Sequence, residues 1–213
     1  MILDLNSGAF RLVPADQRAV LEARAAAMLE DAVRLQGRRA LESTRRCAAL
    51  HEAGHVVVNT ITANGRFPPP VMTRIWRAPL AGFTVWLGET VPASDAPDIP
   101  VDARVDLDAY LTLAVQQLGG VVSELLFDSR DYRAGSSVDE WIVASGCAQT
   151  LAALGIFSTG EEALVMMLAA AKAMLEANTG AVRAIAAALE TQRRVEGAEL
   201  AHLVKTIRRS PSA

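Results

Sequence analysis

The residues of this chain best suited to chemistry lie together in one pentapeptide, His51-Glu52-Ala53-Gly54-His55. On a helix, positions i and i+4 share a face one turn apart. His51 and His55 can then offer two imidazole nitrogens to one zinc ion (Zn2+), with Glu52 leaning over the remaining coordination position as a general base. The pattern is short enough to arise by chance, so it needs a context. Cys47, one turn before His51, is not part of the set. A ladder from Cys47 to His55 would separate its end ligands by about 12 Å, too far for one tetrahedral ion. Cys47 and Cys147 therefore read as core residues.

The elements that must position this pentapeptide can be read outward from it. Ser43 or Thr44 can cap a helix that carries Cys47, Leu50, His51, Val57 and Val58. Asn64-Gly65 stops it, and Pro68-Pro69-Pro70 forbids its continuation. Two β-like runs follow, Val71 to Trp76 and Gly82 to Leu87, with Arg77 to Ala81 read as the turn-length connection of a hairpin. Pro92 to Pro100 reads as an exposed loop. A long apolar-periodic helix opens at Asp106 and runs to Leu126, with Gly119-Gly120 inside it. Glycines there cost about 1 kcal/mol each relative to alanine, which points to a closely approaching neighbour or a kink. Ser136-Ser137-Val138-Asp139-Glu140 opens another helix, which Gly155 ends. Three more helices are expected over Glu161 to Ala177, Ala181 to Arg194 and Ala198 to Arg208. Upstream, residues 1–13 read as an irregular arm and Pro14 to Leu35 as a helix. The expected fold is mainly α, with a small β-hairpin or sheet beside the metal helix. Residues 1–40 form an N-terminal arm and helix, and 41–213 the main unit with its C-terminal helical bundle.

Composition sets the outer bounds. A chain of 213 residues with 51% hydrophobic and 21% charged residues can bury a substantial core and is not of disordered type. A net charge of −3 carries no signature for nucleic acid. The basic run Lys205 to Arg209 reads as a solvated helix end with favourable dipole charges. Two cysteines far apart form no disulfide framework, which favours a reducing compartment. The N-terminus has no secretory-signal pattern, and no apolar run approaches a bilayer span. The chain is thus expected to be cytoplasmic, without a membrane segment. No Gly-Lys dipeptide occurs, so a phosphate-binding loop of the G-x-x-x-x-G-K-[ST] kind is excluded.

Taken together, these segments resemble the peptidase domain of the FtsH-type ATP-dependent zinc metalloproteases. The resemblance spans about Arg45 to Val204, roughly three quarters of the chain. It rests on Ala49 to His55, on the strands Val71 to Ile75 and Gly82 to Leu87, and on Leu118-Gly119-Gly120-Val121-Val122-Ser123-Glu124-Leu125. It continues through Ala134 to Glu140, which is similar to the family's T-G-A-S-N-D-L stretch, and through Ala171 to Leu200. The family's AAA+ module and membrane segments have no counterpart. Val121, Leu125 and Val138 replace an arginine, a glutamate and an asparagine of the family pattern.

A hydrolytic zinc site takes three protein ligands and keeps one position for water. His202, near the C-terminus, reads as a surface or helix-packing residue, so the third ligand should be a carboxylate. The resemblance points to Asp139, although Ser136-x-x-Asp139 is equally a capping box. The alternative is Glu124, because Glu124-x-x-x-Asp128 on a helix is similar to the glutamate-zincin arrangement. If Asp139 binds the metal, Glu124 is left to hold a histidine N–H from behind.

The resemblance implies a zinc endopeptidase acting on unfolded or flexible polypeptide, with Glu52 as the base. The strand at Gly82, Phe83, Thr84 and Val85 would hold an extended substrate by β-addition. Gly54 is read as clearing space for a neighbour. Trp76, Trp86 and Trp141 read as core or sheet-face residues. An unfoldase acting in trans is a partner the sequence itself does not reveal. The family's six-fold ring is supported by the missing ATPase, so a monomer or dimer stands beside a larger homo-oligomer. A different class of function, a catalytically silent FtsH-like interaction module associated with a protease or unfoldase, accounts less well for His51, Glu52, His55 and Asp139 together. A zinc hydrolase of another substrate class has no pocket signature in the sequence to separate it.

Overall fold

A computed structural model describes residues 2–4, 9–11, 44–80, 83–93, 102–128 and 138–209. Helix α1 (Thr44–Ile61) is the centre of the fold. From Cys47 to Val58 almost every side chain is buried, because the helix is covered on several sides at once. Its small residues, Ala49, Ala53 and Gly54, let those neighbours come close. At its C-terminal end the Asn64 side chain accepts from the backbone N–H groups of Arg66 (2.8 Å) and Phe67 (2.9 Å). This Asx turn redirects the chain toward the sheet.

The sheet has three antiparallel strands in the order β4-β3-β5. They are β3 (Pro70–Leu80), β4 (Phe83–Pro92) and β5 (Arg194–Glu196). On β3, Thr73 and Ile75 are buried while Arg74 and Trp76 are exposed, as expected of a sheet with one face on a core. Two expectations change here. Arg77 to Leu80 is strand rather than connection, with Leu80 paired to Phe83, so the ladder runs almost to the tip. Residues 194–196 add an unexpected strand, Thr73 facing Val195. A three-residue strand pairing across more than a hundred positions leaves no local pattern to read.

Helix α2 (Leu107–Phe127) starts at Asp106, whose side chain accepts from the Ala109 N–H at 2.9 Å. By length and composition it could cross a bilayer, contrary to the expectation that no run approaches that size. Yet 61% of its most apolar window is buried within the protein, against α1, α3 (Val138–Ala153) and α4 (Gly160–Ala177). Its apolar length is that of a central core helix. The C-terminal part completes the core with α5 (Thr179–Gln192) and α6 (Gly197–Val204). α5 has the expected length but starts and ends two residues early, stopping where Arg193 takes φ 66°, and α6 stops four residues before Arg208. The architecture is mainly helical with a small antiparallel sheet, as the sequence predicts.

At the N-terminus, β1 (Ile2–Asp4) pairs with β2 (Ala9–Arg11) where an irregular arm is expected. The helix expected from Pro14, the loop Pro92 to Pro100 beyond Ala93 and the segment before Val138 lie outside the described residues.

Candidate metal centre

The site is assembled where α1 and α2 cross. Gly54 is required there: a Cβ on it would lie 2.2 Å from the Gly119 carbonyl oxygen and 2.5 Å from Ser123 Cβ. The Ser123 hydroxyl donates to the Leu50 carbonyl at 2.6 Å and pins the crossing. Gly120 serves the imidazole itself, because a Cβ at that position would lie 2.4 Å from His51 Nε2. The paired glycines are therefore close-approach residues.

Each histidine is oriented by the nitrogen that does not face the centre. His51 Nδ1 is 2.6 Å from Glu124 Oε1, and His55 Nδ1 donates to the Gln116 carbonyl at 3.0 Å. A carbonyl only accepts, so the His55 proton belongs on Nδ1 and its Nε2 carries a lone pair. The two Nε2 atoms then face one another at 3.0 Å. Glu140 Oε1, from the first turn of α3, completes the group at 2.9 Å from His51 Nε2 and 3.3 Å from His55 Nε2.

Three ligand atoms of metal-binding type thus converge on one point. Bonds of about 2 Å to a tetrahedral ion would separate its ligand atoms by roughly 3.3 Å, close to the three distances observed. Without a metal, a proton on His51 Nε2 is what can hold this group together. Burial opposes a charged His51, but the Glu140 charge, the hydrogen bonds to Glu124 and Glu140 and the Glu52 charge outweigh it. They hold its pKa well above the ordinary histidine value. Burial likewise opposes the Glu140 charge, and the two histidines overcome it, lowering its pKa to about 2. One proton does not satisfy the whole set: Glu140 Oε2 is buried without a hydrogen-bond partner. The donor set, its spacing and this orphaned oxygen all fit a divalent cation.

Glu52 sits on the opposite side, toward the sheet. Its Oε2 accepts from the Thr90 hydroxyl of β4 at 2.7 Å, and its carboxylate lies over Gly88, where a Cβ would come within 2.3 Å of it. Burial raises the Glu52 pKa, with the histidine charges and the Thr90 bond working against that rise. A carboxylate shifted upward in this way takes up a proton more readily near neutral pH.

Among the residues singled out by sequence, His51, Glu52, His55 and Glu124 come together here. Glu124 stands behind His51, and Asp128, four residues on, is buried at the end of α2. The side chain of Asp139 lies outside the described residues, and the carboxylate found beside the histidines is that of its neighbour Glu140. His202 is exposed on α6 and is not among the grouped ligand residues. Cys47 and Cys147 are both buried thiols. Gly82 and the side chains of Phe83, Thr84, Val85 and Trp141 lie outside the described residues. Trp76 is on the exposed face of β3, and Trp86 is flanked by the guanidinium groups of Arg45 and Arg193 at 5.3 and 5.5 Å. The part of β4 nearest Glu52 is Gly88 to Thr90, which sequence reasoning passed over. Thr90 and Gly88 carry no local signal, since their role depends on how the strand lies over α1.

No family model matches this chain, and no curated protein matches it in sequence.

Proposed function

We propose that the protein is a zinc-dependent endopeptidase of FtsH-like type that hydrolyses peptide bonds in unfolded or flexible polypeptides. The observation that carries this reading is the convergence of His51, His55 and Glu140, flanked by a buried carboxylate, Glu52, from the same helix. In this reading His51, His55 and Glu140 hold the metal, and Asp139 of the family-like stretch is the rival third ligand. Bound there, zinc would supply Lewis acidity, lowering the pKa of a water molecule and polarising a scissile carbonyl. Glu52 would be the group that takes up a proton from water on its carboxylate and hands it to the leaving amine. Glu124 and the Gln116 carbonyl keep both imidazoles turned toward the centre. β4 is one of the two outer strands of the sheet among the described residues, and an extended polypeptide would add along its outer edge. Buried cysteine thiols suit a reducing, cytoplasmic setting. An unfoldase in trans and self-association remain the partners proposed for a peptidase domain of this kind.

The test is metal content and cleavage of an unstructured protein such as casein, with wild type and Glu52→Gln side by side. Zinc bound by both and cleavage only by wild type is the expected result. Stoichiometric zinc with no hydrolysis by wild type would overturn the enzyme reading in favour of a silent interaction module.

A further inference from the structure

We propose that Thr90, backed by Thr73, is a positioning residue that aims the Glu52 carboxylate; the inference rests on the reading of Glu52 as the general base. Three observations lead to it. The Thr90 hydroxyl donates to Glu52 Oε2 at 2.7 Å. The Thr73 and Thr90 hydroxyls lie 3.1 Å apart, on residues that face each other across β3 and β4. Gly88, two residues before Thr90 on the same face of β4, leaves open the space that the carboxylate fills.

Proton accounting gives the chain a direction. An ionised carboxylate can only accept, so the single Thr90 proton is committed to Glu52. The Thr73 hydroxyl must then donate to Thr90 Oγ1. Thr73 is fully buried, and its hydroxyl has this partner close by, so the relay is a defined unit and not a chance surface contact. Thr90, itself held by Thr73, fixes Oε2 and leaves Oε1 to handle the proton. A glutamate has three side-chain torsions, and a general base must lie within hydrogen-bond reach of the proton it takes. The sheet thereby does for Glu52 what Glu124 and Gln116 do for the histidines.

The test compares Thr90→Val, Thr90→Ser and Thr73→Val in the full chain. Valine keeps the β-branched shape and removes the hydroxyl; serine keeps the hydroxyl. Thr90→Val is expected to lower kcat by about 10- to 100-fold, the scale of a misplaced catalytic group, with KM and zinc content close to wild type. Thr90→Ser should restore most of the rate, and Thr73→Val should give a smaller loss in kcat. A second readout needs neither metal nor activity. In metal-free protein carrying carboxyl-13C glutamate, the Glu52 signal, assigned by its absence in Glu52→Gln, should move in Thr90→Val and return in Thr90→Ser. An unmoved Glu52 signal, or equal kcat losses in the valine and serine variants, would overturn the proposal. If wild type cleaves nothing while the Glu52 signal responds as expected, the peptidase reading fails and the clamp stands.

Discussion

At the scale of single residues, the site is governed by where protons sit. With Nδ1 of His55 committed to a backbone carbonyl and Nδ1 of His51 to Glu124, the imidazoles have only their Nε2 atoms left for a metal. The raised pKa of His51 means that the metal-free site holds a proton that a metal must displace. Metal affinity should therefore rise with pH, about tenfold per unit while one proton is released, until the pH passes the raised His51 value. Calorimetric titration of zinc in buffers of different ionisation enthalpy will read that proton directly. Stability of the metal-free protein has the complementary profile. The lowered Glu140 contributes fully above its ordinary value of 4.5 and loses its contribution as pH falls toward about 2. The raised His51 contributes fully below 6.5 and loses its contribution as pH rises through its elevated value. The Tm difference between wild type and Glu140→Gln, both treated with chelator, should be largest between those two ordinary values. Zinc binding itself separates the carboxylates: Glu140→Ala should abolish it, and Glu124→Gln should weaken it about 10- to 100-fold. Loss of zinc in Asp139→Ala with retention in Glu140→Ala would reverse the ligand assignment.

At the scale of elements, two helices and a strand are brought closer than side chains would normally permit. Gly54→Ala would drive a Cβ into a backbone carbonyl, which cannot swing aside. It should destabilise the fold by at least about 1–3 kcal/mol, the usual range for overpacking, measurable by denaturant unfolding. Gly120→Ala meets a side chain instead. The expected outcome is displacement of the His51 ring, with loss of zinc and a smaller loss of stability. Much at this scale was legible in advance. The apolar period gave α2 and α4, Asn64-Gly65 marked the end of α1, and the glycine pair pointed to a close neighbour or a kink, of which the structure shows the first. β5 and the full length of β3 were not legible, because the alternation of a short or polar strand is completed only by its partner.

At the scale of the whole molecule, the site lies between a helical core and the sheet, and the chain contains no phosphate-binding loop of the common type. A peptidase built this way should cleave unstructured casein without ATP and leave a stably folded domain intact. Gel analysis of both substrates, with and without ATP, tests this. Cleavage of the folded domain would show that unfolding is not limiting. The amino-acid sequence by itself determined the helix carrying His51, Glu52 and His55, since helical period alone places i and i+4 on one face. It also determined the mainly helical class, through the apolar periodicity of its long segments. Only the tertiary structure brought the Glu140 carboxylate beside the two histidines and showed what holds Glu52. Both depend on contacts between α1 and elements far along the chain. Asp139 and Glu140 are adjacent carboxylates at a helix start, and spacing cannot choose between neighbours that differ by about 100° around the axis. Thr90 acquires its role from the lay of β4 over α1, which no local pattern records.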